Sequence, residues 1–167
     1  MSMHETGDPL AAAEYTRAQK MLHWAIVILI AVQYLLFDHM GREFRAVMEG
    51  TGTAYDSTSV VHILIGAAVL LLMVWRLGLR LRRGTPALPE AEPDWASKVS
   101  KAVHWLFYAL LIALPLLGLL AWFGKVRVAA EAHEIGTTVL LWVIGLHLAG
   151  VLVHQFWWRT GLLRRMV

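Results

Sequence analysis

Histidines spaced along long apolar segments are the residues of this sequence best suited to chemistry. His133 and His147 lie 14 residues apart within the apolar run 133–158, which corresponds to about 21 Å of helix rise and nearly four turns. Their side chains are therefore expected on nearly the same face of one helix, at two depths. A histidine inside a bilayer-length segment is costly unless a partner satisfies it. The spacing thus predicts one partner at each depth.

The composition indicates a membrane protein without thiol chemistry. Of the 167 residues, 58% are hydrophobic, which is too apolar for a soluble domain of this size. The chain has no cysteine. Disulfides, iron–sulfur clusters, thiolate zinc sites and a thiol nucleophile are therefore excluded.

Four apolar segments set the predicted fold. Each is about 20 residues long, enough to cross a hydrocarbon core of about 30 Å, and in lipid such segments must be helices. They lie at about 21–40, 60–81, 99–123 and 133–158. A soluble bundle is disfavoured because these runs leave almost no polar face. We predict an all-α, four-helix membrane bundle forming one domain over residues 1–167, with residues 1–20 as a cytoplasmic tail.

The basic residues predict the orientation of the bundle. Eleven of them flank one side: Arg17, Lys20, Arg76, Arg80, Arg82, Arg83, Lys98, Lys101, Arg159, Arg164 and Arg165. Four flank the other: Arg42, Arg45, Lys125 and Arg127. The positive-inside rule places both termini in the cytoplasm. An aromatic belt at the two interfaces is predicted for Trp24, Trp95, Trp105, Trp122, Trp157 and Trp158.

This orientation gives each histidine a depth. His62 and His133 share the outer layer. The inner layer contains His23 and His147, with His104 and His154 nearby. His4 and His39 fall in the tail and at a loop end, where solvated side chains are expected.

Two histidines facing each other at one depth can hold a haem iron from both sides. Filling both axial positions favours electron transfer over oxygen binding. Small residues would make room for flat macrocycles: Gly66, Ala67, Ala68, Gly118, Gly136, Gly145 and Gly150. The same residues also suit close helix packing, and histidines can instead hydrogen-bond across helices.

A cation or proton transporter is the alternative of another class. Such a protein would want carboxylates inside the membrane, and the predicted spans contain only Glu134 beside His133 and, close to the end of the first span, Asp38. His133 and Glu134 also begin a zinc-protease pattern H-E-x-x-H, but the final position is Thr137, so the pattern fails.

Longer pieces of the sequence resemble the bacterial cytochrome b561 family of small four-helix, di-haem b proteins of the inner membrane. The pieces are Y-x-R-x-Q-K-x-L-H-W (15–24), V-H-I-x-x-G (61–66), W-R-L-x-L-R-L (75–81), H-W-L-F-Y-x-L-L-I-A-L-P-L-x-G (104–118) and H-E…G-L-H (133–147). The resemblance covers about residues 14–167. It implies that His23 and His147 ligate the inner haem b and that His62 and His133 ligate the outer one.

The resemblance also implies an activity, in which superoxide is oxidised at the periplasmic face and ubiquinone is reduced. Lys125 and Arg127, with Arg42 or Arg45, are the candidates to attract the superoxide anion, in a connection of about nine residues between the third and fourth helices.

The quinone site is expected near the inner face, in an apolar slot with a hydrogen-bond donor. The candidates for contacts to quinone or haem propionate are His104, His154, Arg76 and Arg80. Related cytochromes instead anchor dehydrogenases or hydrogenases and exchange electrons with a partner redox protein, which is the alternative within the same chemistry. Lipid, ubiquinone and superoxide are the expected partners, and no nucleic acid is expected.

Overall fold

The computed structural model describes residues 14–37, 39–53, 55–86 and 93–166. Four of its helices are long and apolar enough to cross a membrane, which agrees with the predicted all-α membrane fold. In chain order, the described helices are α1 (Arg17–Leu36), the short α2 (Met40–Met48), α3 (Ser57–Arg83), α4 (Asp94–Gly124) and α5 (Arg127–Leu152). Most of the predicted tail, including His4, lies outside the described residues.

The start of α1 is set by a polar cap rather than by hydropathy. The Thr16 side chain accepts a hydrogen bond from the Gln19 N–H at 3.2 Å, and the Gln19 side chain accepts one from the Thr16 N–H at 2.9 Å. This capping box satisfies two otherwise unpaired backbone donors. The helix therefore begins at Arg17, four residues before the predicted span. Gln19 also donates to the Gly84 carbonyl at 3.4 Å, which ties α1 to the end of α3.

Helix α3 is capped at both ends by local chemistry. The Asp56 carboxylate accepts hydrogen bonds from the Ser59 hydroxyl and the Ser59 N–H, as an N-cap residue does. The hydrogen bond from the Ser59 hydroxyl, with that from its N–H, lowers the pKa of Asp56 below its usual range. The helix ends at Gly84, whose φ of 70° suits glycine.

The connection between α4 and α5 is much shorter than predicted. Lys125 adopts the left-handed conformation (φ 55°, ψ 34°) and ends α4, and α5 begins at Arg127. Only Lys125 and Val126 connect the two helices. The expectation of a nine-residue connection was wrong because residues 127–132 are too polar for a hydropathy pattern but form helix readily.

The long helices pack in chain order, α1 against α3, α3 against α4 and α4 against α5. The Tyr34 hydroxyl closes the bundle by donating to the Thr137 carbonyl at 2.5 Å, from α1 to α5. Side chains from all four long helices form the central core: Ile26, Val69, Met73, Tyr108, Leu111, Leu114 and Leu140. A second cluster joins Phe44 of α2 to Ala121, Trp122 and Ala129, at the end of the bundle that is predicted to face outward and is called the outer end below.

The outward faces of the long helices are apolar. Leu35, Leu71 and Trp142 are 79%, 71% and 75% exposed within the protein. A soluble protein rarely presents contiguous apolar surface on this scale, whereas lipid tails solvate it. The long helices therefore face lipid.

Glycine permits the closest approach between α4 and α5. A Cβ atom added at Gly136 would lie 2.5 Å from Leu114 Cδ2, whereas one added at Gly145 would meet nothing within 4 Å. Small residues at such positions let membrane helices pack backbone to backbone.

We predict that Gly136→Val will destabilise the bundle by about 1–3 kcal/mol, the usual cost of overpacking. Thermal unfolding in detergent measures the change. Adding Leu114→Ala should restore part of the loss because it removes the clashing methyl groups. Gly145→Val is the matched control on the same helix. An equal loss in Gly145→Val would show that the close approach at Gly136 is not responsible.

Candidate functional site

The outer histidines face each other across the bundle. His62 on α3 and His133 on α5 have ring centroids 6.2 Å apart, with the ring planes at 68°. A metal ion between two imidazole nitrogens needs about 4 Å from nitrogen to nitrogen, since each bond is about 2 Å long. The observed separation of the ring centroids is compatible with that arrangement.

The orientation of His133 is fixed by helix α4. His133 Nδ1 lies 2.8 Å from the Leu114 carbonyl oxygen, which can only accept, so Nδ1 carries the proton. In the neutral imidazole, Nε2 is then the nitrogen that can bind a metal. The approach depends on Gly118, because a Cβ there would lie 3.2 Å from His133 Cε1.

His62 lacks the equivalent hydrogen bond. Its Nδ1 is buried and has no hydrogen-bond partner among the described residues, and the same holds for Gln33 Oε1. Gln33 lies close to the His62 backbone, because its Nε2 donates to the His62 backbone carbonyl at 3.0 Å. Each of these two residues thus has one buried polar side-chain atom without a partner among the described residues, although buried polar groups in native proteins are normally satisfied.

Both outer histidines line one large cavity. Its volume of about 690 Å³ lies within the roughly 300–1,000 Å³ typical of cofactor sites. The walls include the small residues Gly66, Ala67 and Gly118, which were predicted to leave room for a macrocycle. Opposed imidazoles, an apolar wall and nearby guanidiniums fit a haem with its two carboxylates.

Charged residues lie at the outer end of this cavity in equal numbers. Among the described residues, the lining contains three arginines and three glutamates: Arg42, Arg45, Arg127, Glu49, Glu131 and Glu134. Arg127 thus lines the cavity together with the two arginines of α2. Lys125 is not among the lining residues, and its ammonium lies 5.6 Å from the centre of the Trp122 ring.

Trp122 is buried within the protein instead of lying at the membrane interface. It was expected in the aromatic belt, but it is only 5% exposed and packs 6.2 Å from Phe44 of α2. Its indole N–H is buried without a hydrogen-bond partner among the described residues, and the side chain lines the cavity. The helix α2 that covers it has no hydropathy signal strong enough to predict this burial.

The inner histidines form a group of three. His104 and His147 are in edge contact, with ring centroids 5.4 Å apart and planes at 88°. His23 on α1 lies close enough to both of them, and to Arg76, to interact electrostatically. His104 Nδ1 donates to the Ser100 carbonyl at 2.6 Å. The predicted inner layer is thus brought together, but His104 lies closer to His147 than depth alone indicated.

The remaining inner candidates have packing roles. Arg76 donates to the Gln19 carbonyl at 2.5 Å, beside His23. The guanidinium of Arg80 lies over the Trp105 and Tyr108 rings at 5.2 and 5.5 Å.

His154 lies beyond this group, in a π-helical turn (Val153–Trp157) that follows α5. It is buried, contacts the Trp158 ring at 4.7 Å, and its Nδ1 lies 3.2 Å from the Thr160 hydroxyl. Within the described residues, no three His, Asp or Glu side chains have the geometry of a chelating metal site.

The sequence interpretation missed several polar residues of the outer cavity, among them Gln33, Tyr34 and Glu131. Gln33 carried a usable signal, since it is a polar side chain within an otherwise apolar run. Tyr34 and Glu131 carried none, because a tyrosine near a helix end and a glutamate outside the predicted span are ordinary.

Comparison with known proteins gives consistent matches over nearly the whole chain. The profile of the prokaryotic cytochrome b561 family matches residues 14–167. Cytochrome b562 of Cereibacter sphaeroides is 33% identical over 153 residues, covering 92% of this chain and 94% of the relative. A probable superoxide oxidase CybB of Yersinia pestis is 25% identical, and cytochrome b561 homolog 1 of Escherichia coli K12 is 24% identical. Each of these two matches covers 92% of this chain and 96% of the relative.

These matches and the four apolar helices identify a bacterial membrane protein. Electron transfer, rather than cation transport, is the chemistry of the matched family. The chain belongs to the prokaryotic cytochrome b561 family, whose members are haem b-binding membrane proteins that transfer electrons.

Proposed function

We propose that this protein is a superoxide:ubiquinone oxidoreductase holding two b haems in one domain of the bacterial inner membrane, with both termini in the cytoplasm. Two superoxide anions each lose one electron to become oxygen, and one ubiquinone takes up two electrons and two protons. The observation that carries the proposal is the opposed pair His62 and His133 in a cavity lined by guanidiniums.

The axial ligands are proposed as His62 with His133 at the outer site and His23 with His147 at the inner site. When bound, the two haems supply one-electron carriers at two depths. The 5.4 Å ring contact between His104 and His147 is closer than the 6.2 Å separation of the outer pair. That contact favours His104 as a neighbour of the ligand His147 rather than its partner across an iron.

Gln33 is proposed to orient His62. A metal-bound histidine normally donates its other N–H to a carbonyl or carboxylate, which fixes the ring and raises its basicity. Gln33 Oε1 and His62 Nδ1 are both unpaired among the described residues, and the Gln33 amide contacts the His62 backbone. Pairing these two atoms would satisfy both.

Arg127, Arg42 and Arg45 are proposed to attract superoxide at the outer cavity, and Trp122 is proposed to donate its indole N–H to an anionic oxygen there. Water exclusion by Phe44 and Trp122 would strengthen these interactions. At the inner face, quinone is proposed to bind near His104, Arg76 and Arg80, with His154 as a further candidate.

A second candidate function is electron exchange between quinone and a partner redox protein. The equal number of arginines and glutamates at the outer cavity favours it, since the lining has no formal excess of positive charge for a small anion. The two functions differ in whether superoxide alone is a sufficient reductant.

We predict that His62→Ala and His23→Ala will each retain about one haem per chain instead of two, because each removes one axial ligand. Haem per chain is measured on purified protein from the reduced pyridine complex. His39→Ala, on the outer loop, is the control and should retain both. If His104→Ala loses a haem while His23→Ala does not, the inner pair is assigned wrongly.

For Gln33→Leu, we predict a raised midpoint potential of the outer haem with an unchanged haem count. Removing the acceptor lowers the basicity of His62, which destabilises the ferric state. Gln33→Glu should shift the potential in the opposite direction. Redox titration of the visible spectrum measures both, and equal potentials in all three proteins would exclude the positioning role.

Superoxide supplied by an enzymatic source should drive quinone reduction by the purified protein. Arg127→Gln should lower kcat/KM about threefold to tenfold and weaken the salt dependence, because attraction of an anion is screened. Lys125→Gln should change less, since Lys125 does not line the cavity. Arg82→Gln, at the opposite end, is the control. Quinone reduction that persists when superoxide dismutase is added would contradict the activity but not the haem assignment.

A further inference from the structure

The end of the last membrane span has an unusual backbone. After the π-helical turn, the Thr160 N–H donates to the His154 carbonyl at 3.0 Å. This hydrogen bond is typical of a helix C-cap, in which the residue before the donor is left-handed and is usually glycine. That residue here is Arg159, with φ 53°. Arginine adopts this conformation only with strain, whereas glycine adopts it freely. Glycine would therefore fit the backbone at this position better than arginine does.

The side chain of Arg159 lines a cavity. The cavity has a volume of about 390 Å³ and is lined by Gln155, Phe156, Arg159, Gly161 and Arg164. Two arginines thus border one small space that no carboxylate of the described residues lines. The sequence contains no Asp or Glu after Glu134.

One of the lining residues carries an unpaired acceptor. Gln155 Oε1 is buried and has no hydrogen-bond partner among the described residues. Guanidinium groups bind phosphate oxygens through paired hydrogen bonds. A ligand with a phosphate and a hydroxyl donor would satisfy both arginines and the Gln155 oxygen.

The surroundings of this cavity are suited to a lipid. The candidate span ends at Trp157, and Phe156 and Trp157 are 72% and 82% exposed. Phe156 also lines the cavity, so apolar surface continues from the arginines along the span. The Trp24 indole donates to the Met166 carbonyl at 2.8 Å, which holds the chain after the cavity against α1.

We propose that this cavity binds the headgroup of phosphatidylglycerol. Arg159 and Arg164 bind the phosphodiester, Gln155 accepts a hydrogen bond from a glycerol hydroxyl, and Phe156 contacts the acyl chains. Basic pockets at membrane helix ends are suited to anionic headgroups. The site is separate from the histidine pairs and does not depend on haem.

Native mass spectrometry of the delipidated full chain, titrated with defined lipids, tests the proposal. One phosphatidylglycerol should bind about tenfold more tightly than phosphatidylcholine, because choline puts a positive charge near the two arginines and has no hydroxyl for Gln155. Arg159→Gly should abolish this preference without lowering Tm, because glycine fits the backbone at this position. Gln155→Leu should remove the preference for phosphatidylglycerol over phosphatidic acid, which lacks the glycerol hydroxyls.

Arg83→Gln removes one exposed charge from the same end of the bundle and is the matched control. It should leave the preference unchanged. An equal loss in Arg83→Gln and Arg159→Gly would indicate diffuse surface charge and overturn the proposal. Full retention in Arg159→Gly would also overturn it. Displacement of the lipid by inorganic phosphate at equal concentration would assign the site to free phosphate instead.

Discussion

The hydrogen bond from His133 Nδ1 to the Leu114 carbonyl is the interaction on which the outer site depends. An imidazole in an apolar span must satisfy its N–H within the protein, and here the acceptor belongs to the neighbouring helix. The contact requires close packing of α4 and α5, which the glycines at 118 and 136 permit. The hydrogen bond that satisfies the buried His133 N–H therefore also leaves Nε2 as the nitrogen available to a metal.

The two ends of the bundle are built differently. At the outer end, the opposed rings of His62 and His133 border a large cavity that is also lined by the short helix α2, so there is room for a cofactor between the rings. At the inner end, His23, His104 and His147 lie close together, with Arg76 and Arg80 beside them. Positive charge near the inner histidines would favour the reduced state of a cofactor held there. The outer cavity is lined by equal numbers of arginines and glutamates, so it has no formal excess of positive charge.

Hydropathy and histidine spacing were sufficient to predict the membrane fold and to bring the outer pair together, because both follow from burial in lipid. The sequence did not predict that α5 begins at Arg127, since helix formation there needs no apolar residues. It also missed the burial of Trp122, which depends on packing against α2. The contact of His104 with His147 depends on how far α4 slides against α5, which a pattern along one helix does not specify.

Placing His133 and His147 on the same helix has a kinetic consequence. Their spacing of about 21 Å is fixed by the hydrogen-bonded rise of α5, and neither side-chain motion nor shifts of α1 and α3 can change it much. Electron tunnelling rates fall steeply with distance, so the separation of two haems bound at the proposed histidine pairs would matter for the rate. The shared helix would hold one proposed ligand of each haem at a constant separation.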